Sequence, residues 1–159
     1  MSAQRDFEEF FDLLNQGKAK YLVVGAHALA FHGIPRNTGD IDILVGSDRA
    51  NAGRVIRAVK RFGFDIEGIE LKDFTKPNAV VQLGYPPVRI DILTSISGVS
   101  FPRAWKNRKA GSYGSAGVWY ISKVDLIANK RSAGRKKDLL DLDLLAPRGK
   151  RRPARPPRG

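Results

Sequence analysis

The tetrapeptide Ile-Asp-Ile-Leu occurs twice, as Ile41–Leu44 and as Ile90–Leu93, and each copy places a carboxylate where an apolar strand calls for a hydrophobe. Gly39 and Asp40 precede the first copy, so one strand carries Asp40-x-Asp42 and another carries Asp91. Side chains at i and i+2 of a strand share a face, so Asp40 and Asp42 project together. A neighbouring strand lies about 4.8 Å away, close enough to bring Asp91 alongside. At about 5 Å and an effective dielectric near 20, each like-charged pair costs roughly 3 kcal/mol. Three such pairs cost on the order of 10 kcal/mol, comparable to the whole stability of a domain. Hard divalent cations with oxygen ligands relieve such a cost, and Mg²⁺ suits carboxylates combined with substrate phosphates. Two ions about 4 Å apart clamp both the attacking and the leaving oxygen of a phosphoryl transfer. The competing reading caps strand ends with these acids or pairs them with Arg36, Arg54 or Arg89.

A chain of 159 residues suits one domain with a substantial core. No apolar run approaches the roughly 20 residues of a membrane span, and the first residues lack a signal-peptide pattern. Without cysteine there is neither a disulfide framework nor a thiolate metal site. A cytoplasmic location is expected. The net charge of +12 is uneven, because Arg148 to Gly159 holds six basic residues and no acid. Removing that segment leaves 22 basic residues against 16 acidic ones, or +6. The expected organisation is therefore a domain over residues 1–147 and a disordered Pro/Arg-rich tail over 148–159. The tail reads either as a solubility appendage or as an arm for RNA or another polyanion.

Phe7, Phe10, Phe11 and Leu14 fall at helical spacing over residues 5–17. Tyr21–Val24 reads as a buried strand, and a short helix follows from Ala26 to Phe31 with Gly33 closing it. After a loop, Asp40–Val45 forms the first acidic strand. Ser47 or Asp48 caps a helix that ends near Gly63. Ala79–Leu83 and Val88–Leu93 read as antiparallel strands, Phe101–Lys109 as a short basic segment, and Val118–Ile121 as the last strand. Ser122 caps a helix to about Ala133, and a final helix spans Lys136–Leu145.

Gly25-Ala26-His27 through His32-Gly33, followed by Arg36-x-Thr38-x-Asp40-Ile41-Asp42-Ile43-Leu44-Val45, resembles the nucleotidyltransferases of the DNA polymerase β superfamily. The likeness is greatest to the small bacterial ones, the minimal and the abortive-infection toxin–antitoxin types. It covers roughly residues 20–146, including the stretch from Lys123 to Arg131 and the run Lys137-Asp138-Leu139-x-Asp141-Leu142. The resemblance implies an α+β fold, a mixed twisted sheet with helices mainly on one face. It implies a metal-dependent enzyme that transfers an NMP from an NTP, ATP being the commonest donor, to a hydroxyl and releases pyrophosphate. Asp40, Asp42 and Asp91 would bind two Mg²⁺ ions, and Asp91 would help activate the acceptor. Gly25 and Ala26 would receive the triphosphate, with Arg36, Thr38 and Lys130 as further nucleotide-binding residues. Ala26 stands where the family often has Ser or Gly, so one hydroxyl contact is lost while the backbone N–H remains. Implied acceptors are a tRNA 3′ end, a hydroxyl of a partner toxin protein, or a small molecule. The alternative is a non-catalytic antitoxin or RNA-binding module with the same fold.

His27 and His32 lie five residues apart, about 140° around a helix, so they do not share a zinc ion and read as packing residues. Gly111–Gly117 lacks the Lys-Ser/Thr ending of a phosphate loop and reads as a turn. Trp105 among basic residues reads as packed more readily than as a nucleic-acid contact, and Asp138 as a partner for Lys or Arg of a neighbouring helix.

Overall fold

The computed structural model describes residues 3–63, 68–85 and 88–145. Residues 148–159, on which the expected tail falls, and Pro86 and Pro87 between the two expected strands lie outside the described residues. Six strands form one mixed sheet in the order β3-β4-β2-β1-β6-β5, with β1 Tyr21–Val24, β2 Asp40–Val45, β3 Val80–Tyr85, β4 Val88–Leu93, β5 Lys109–Tyr113 and β6 Ala116–Tyr120. The helices are α1 Ala3–Gln16, α2 Gly25–Phe31, α3 Arg49–Phe62, α4 Phe101–Lys106, α5 Lys123–Ala133 and α6 Lys136–Leu145. A 3₁₀ turn over Leu71–Phe74 was not legible in the sequence. None of these helices is long and apolar enough to cross a membrane.

Strand parity divides the core in two. Tyr21, Val23, Ile41, Ile43, Val45, Ile90 and Ile92 pack against α1 and α3, where Phe7, Phe10, Phe11 and Leu14 are almost completely buried. Leu22, Val24 and Leu44 point the other way, against Ala28 and Leu29 of α2, Ala104 of α4 and Leu126 of α5. The two longest helices do gather on one face, but α2, α4 and α5 cover the other, because the central strands are apolar on both sides. Asp40 and Asp42 share the parity of Leu44, and Asp91 that of Leu93. The acids therefore lie on the second face, at the end of its smaller core.

Capping follows the sequence closely. Asp48 accepts the N–H of Asn51, and Gly63 ends α3 at φ 99°. Ser122 accepts the N–H of Asp125. The reading of Gly111–Gly117 as a turn needs correction: most of it is strand, and β5 and β6 pair from Lys109↔Tyr120 to Tyr113↔Ala116. Glycine weakens a strand pattern, but at Gly111 a Cβ would lie 2.6 Å from the Phe31 ring and 2.9 Å from the Tyr120 ring. Those two rings stack 4.1 Å apart, and the bare backbone admits them.

Candidate active site

β2 and β4 run parallel with Asp42 directly beside Asp91 and Asp40 beside Arg89. This register brings the three sequence-singled acids to one place. Arg89 is the partner that the alternative reading offered, and it takes two of them. Its Nε donates to Asp91 Oδ1 at 2.8 Å, and its terminal nitrogen donates to Asp91 Oδ2 at 3.1 Å and Asp40 Oδ2 at 3.2 Å. The Asp91 hydrogen bond in turn raises the Arg89 pKa, so the guanidinium stays charged. Arg36 and Arg54 do not pair with these acids: Arg36 bonds to Asp141, and Arg54 lies on α3.

Asp42 is left without a hydrogen-bonded cation among the described residues. Burial, then the charges of Asp91 and Asp40, push its carboxyl up to about 6, while Arg89 and Lys137 pull the other way. Gly25 begins α2 at φ +66°, and a Cβ there would come within 2.3 Å of Asp42 Oδ2. The glycine is thus required twice, by the backbone turn and by the carboxylate lying against it. No side chain caps α2.

The acids line a cleft of about 590 Å³ whose walls also carry Gly25, Ala26, Arg36, Thr38, Lys130, Arg135 and Lys137. All eight residues singled out as catalytic or nucleotide-binding therefore reach one cavity. Thr38 is occupied locally, accepting the Asp40 N–H at 3.1 Å. Lys130 is buried, with Nζ 3.3 Å from Asp138 and 3.1 Å from Asp141. Arg135 adds a second grip on Asp138 at 2.6 Å, so Asp138 holds a cation on each side. Burial pushes the Asp138 carboxyl up, but hydrogen bonds from Arg135 and Lys130 outweigh it and hold the carboxyl below the usual range. Sequence reasoning missed Arg135, Lys137 and Asp141 as cleft residues. The available signal was the basic run Arg135-Lys136-Lys137 at the start of α6, with Asp138 and Asp141 three apart on one helix face.

The remaining candidates are packing residues. His27 sits edge-on to Phe7 and Tyr113, and His32 Nε2 donates to the Ile121 carbonyl at 2.8 Å. Trp105 packs between Phe101 and Trp119, with the Arg108 guanidinium 3.9 Å from its ring centre.

No protein-family model and no curated protein matches this sequence. Among solved structures, the chain resembles a "putative nucleotidyltransferase (TM1012) from Thermotoga maritima". The TM-score is 0.59 at 17% identity, over 87% of this chain and 88% of the other. At that identity the likeness speaks to architecture, and the architecture is the nucleotidyltransferase fold.

Proposed function

We propose that this chain transfers a nucleoside monophosphate from an NTP to a hydroxyl, releasing pyrophosphate. The observation that carries the reading is the cleft itself, in which three carboxylates on adjacent strands face a wall of basic side chains. Carboxylates suit a hard divalent ion, and cations suit a polyphosphate.

The fit of a metal can be judged from Arg89. Among the described residues no three metal-ligating side chains converge on one metal position, yet the guanidinium between Asp40 and Asp91 is itself a stand-in cation. The donor set is all oxygen and sets three carboxylates against the single positive charge of Arg89. Asp40, Asp42 and Asp91 would hold Mg²⁺, which supplies charge neutralisation at the transferring phosphoryl group when bound. The protein's own contribution is positioning. Gly25 and Ala26 present bare backbone to the donor. Arg36, Arg135 and Lys137 offset the polyphosphate charge. Lys130, tied to two acids, braces that wall rather than reaching freely into it. Asp91 lies beside Asp42 to accept the proton of the incoming hydroxyl.

The acceptor is proposed to be RNA, such as a tRNA 3′ end, or a hydroxyl of a partner protein, as in a toxin–antitoxin pair. The net charge of +12 favours RNA. Label transfer from each α-³²P NTP with Mg²⁺, using RNA and protein extracts as acceptors, tests the reaction. Label should appear with wild type and vanish with Asp42→Asn. Absence of transfer from every NTP would replace this reading with a non-catalytic binding module.

A further inference from the structure

Arg89 lies two residues before Asp91 on the same strand face, and in the neighbouring strand it stands beside Asp40. Its guanidinium engages both carboxylates, and only about a quarter of its side chain is exposed. An ordinary salt bridge has one acid for one base, whereas here one base spans two acids across two strands while Asp42 stays unpaired beside them. On the other side, β3 places Gly84 opposite Arg89, so no cross-strand side chain holds the arginine in position. The guanidinium therefore has two strong partners and an open flank.

We propose that Arg89 is a built-in competitor for the divalent cation, occupying Asp40 and Asp91 until metal displaces it toward the cleft, where it becomes a phosphate-binding group. The inference rests on the metal-binding role proposed above for the three acids. Each carboxylate oxygen that accepts a guanidinium hydrogen bond, both on Asp91 and one on Asp40, has a lone pair occupied that a metal needs, and the positive charge repels an incoming ion over a few ångströms. Displacement frees a planar, permanently charged fork whose geometry matches a phosphate. Metal and polyphosphate should then assist one another, and by linkage each should tighten the other by the same factor.

The test is Mn²⁺ titration of the nucleotide-free full chain, followed by the loss of the free-ion paramagnetic resonance signal. Arg89→Gln should bind Mn²⁺ about tenfold or more tightly than wild type, since one nearby positive charge is gone. Arg89→Lys keeps the charge but not the fork, and should fall between the two; it also serves if the glutamine variant does not fold. A second readout is inorganic tripolyphosphate affinity with and without Mn²⁺, where wild type should show mutual tightening and Arg89→Gln should lose most of it. Equal or weaker Mn²⁺ binding in both variants, with wild type binding normally, overturns the competition while leaving the metal site standing. Failure of wild type and both variants to bind Mn²⁺ overturns the metal site and the competition together.

Discussion

Two charged clusters face each other across the cleft, and they are built on opposite principles. On the sheet side, Asp40, Asp42 and Asp91 share one arginine, Arg89. On the helix side, Asp138 and Asp141 share Lys130, Arg135 and Arg36. The first cluster carries more negative charge than its cation offsets; the second carries more positive charge than its acids offset. Burial together with the charges of Asp91 and Asp40 pushes Asp42 up to about 6, whereas Asp138, fully buried, is held below the usual carboxylate range by hydrogen bonds from its cations. Burial alone does not decide what a buried acid is for. A saturated cluster fixes α6 and the Arg36 loop to α5, while an unsaturated one leaves charge for a ligand to neutralise.

The largest expected effect comes from breaking the saturated side. Lys130→Met removes the buried cation shared by Asp138 and Asp141, leaving them to the more exposed Arg135 and Arg36, and should destabilise the fold by about 3–5 kcal/mol, measured by urea unfolding. A loss below about 1 kcal/mol would mean that Arg36 and Arg135 already satisfy the acids and that the cluster is not saturated through Lys130.

Next in size is Gly25→Ala, which sets a Cβ against Asp42 Oδ2 and forces an L-residue into the left-handed region. A cost of about 2–3 kcal/mol is expected. A double-mutant cycle with Asp42→Ala should return the steric share and leave the backbone share. Strict additivity would show that the carboxylate does not lie against Gly25.

Asp42→Asn should act in the opposite direction. Because the folded-state pKa lies above the usual carboxylate value, the unfolded chain loses its proton first as pH rises. Wild type therefore loses stability between about pH 4 and pH 6, and the loss is complete above that window. The metal-free variant should match wild type near pH 3.5 and exceed it by about 1–2 kcal/mol at pH 7.5, after allowance for solvent screening. A variant less stable than wild type at pH 7.5 would contradict the charge imbalance assigned to the sheet side.

The smallest effect belongs to Arg135→Ala. Its side chain is mostly exposed and Lys130 keeps hold of Asp138, so thermal unfolding should register less than about 1 kcal/mol. A loss matching that of Lys130→Met would make the two cations equal partners.

Much of the fold was legible locally. The α1 stripe of Phe7, Phe10, Phe11 and Leu14, the caps at Asp48 and Ser122, and all the strands except β5 followed from spacing and turn chemistry. β5 was missed because Gly111 removes the side chain that marks a strand, for a reason visible only once Phe31 and Tyr120 are stacked over it. Of the eight residues that meet in the cleft, Asp40, Asp42 and Asp91 stood out as acids inside apolar strands, and the other five came from the family resemblance. Their partners did not stand out. Arg89 was one arginine among several, and Arg135 and Lys137 looked like an ordinary basic run.

What the sequence by itself determined is which residues carry charge into an apolar setting, because period-two alternation and helix caps are properties of a few adjacent residues. Only the tertiary structure decided which charges meet. The parallel register of β2 on β4 sets Asp42 against Asp91 and Arg89 against Asp40, and the docking of α6 on α5 sends Lys130 to Asp138 and Asp141. Electrostatic energy depends on distances of a few ångströms between residues 8 positions apart for Lys130 and Asp138, 49 for Asp40 and Arg89 and 105 for Arg36 and Asp141, and local patterns do not encode such distances.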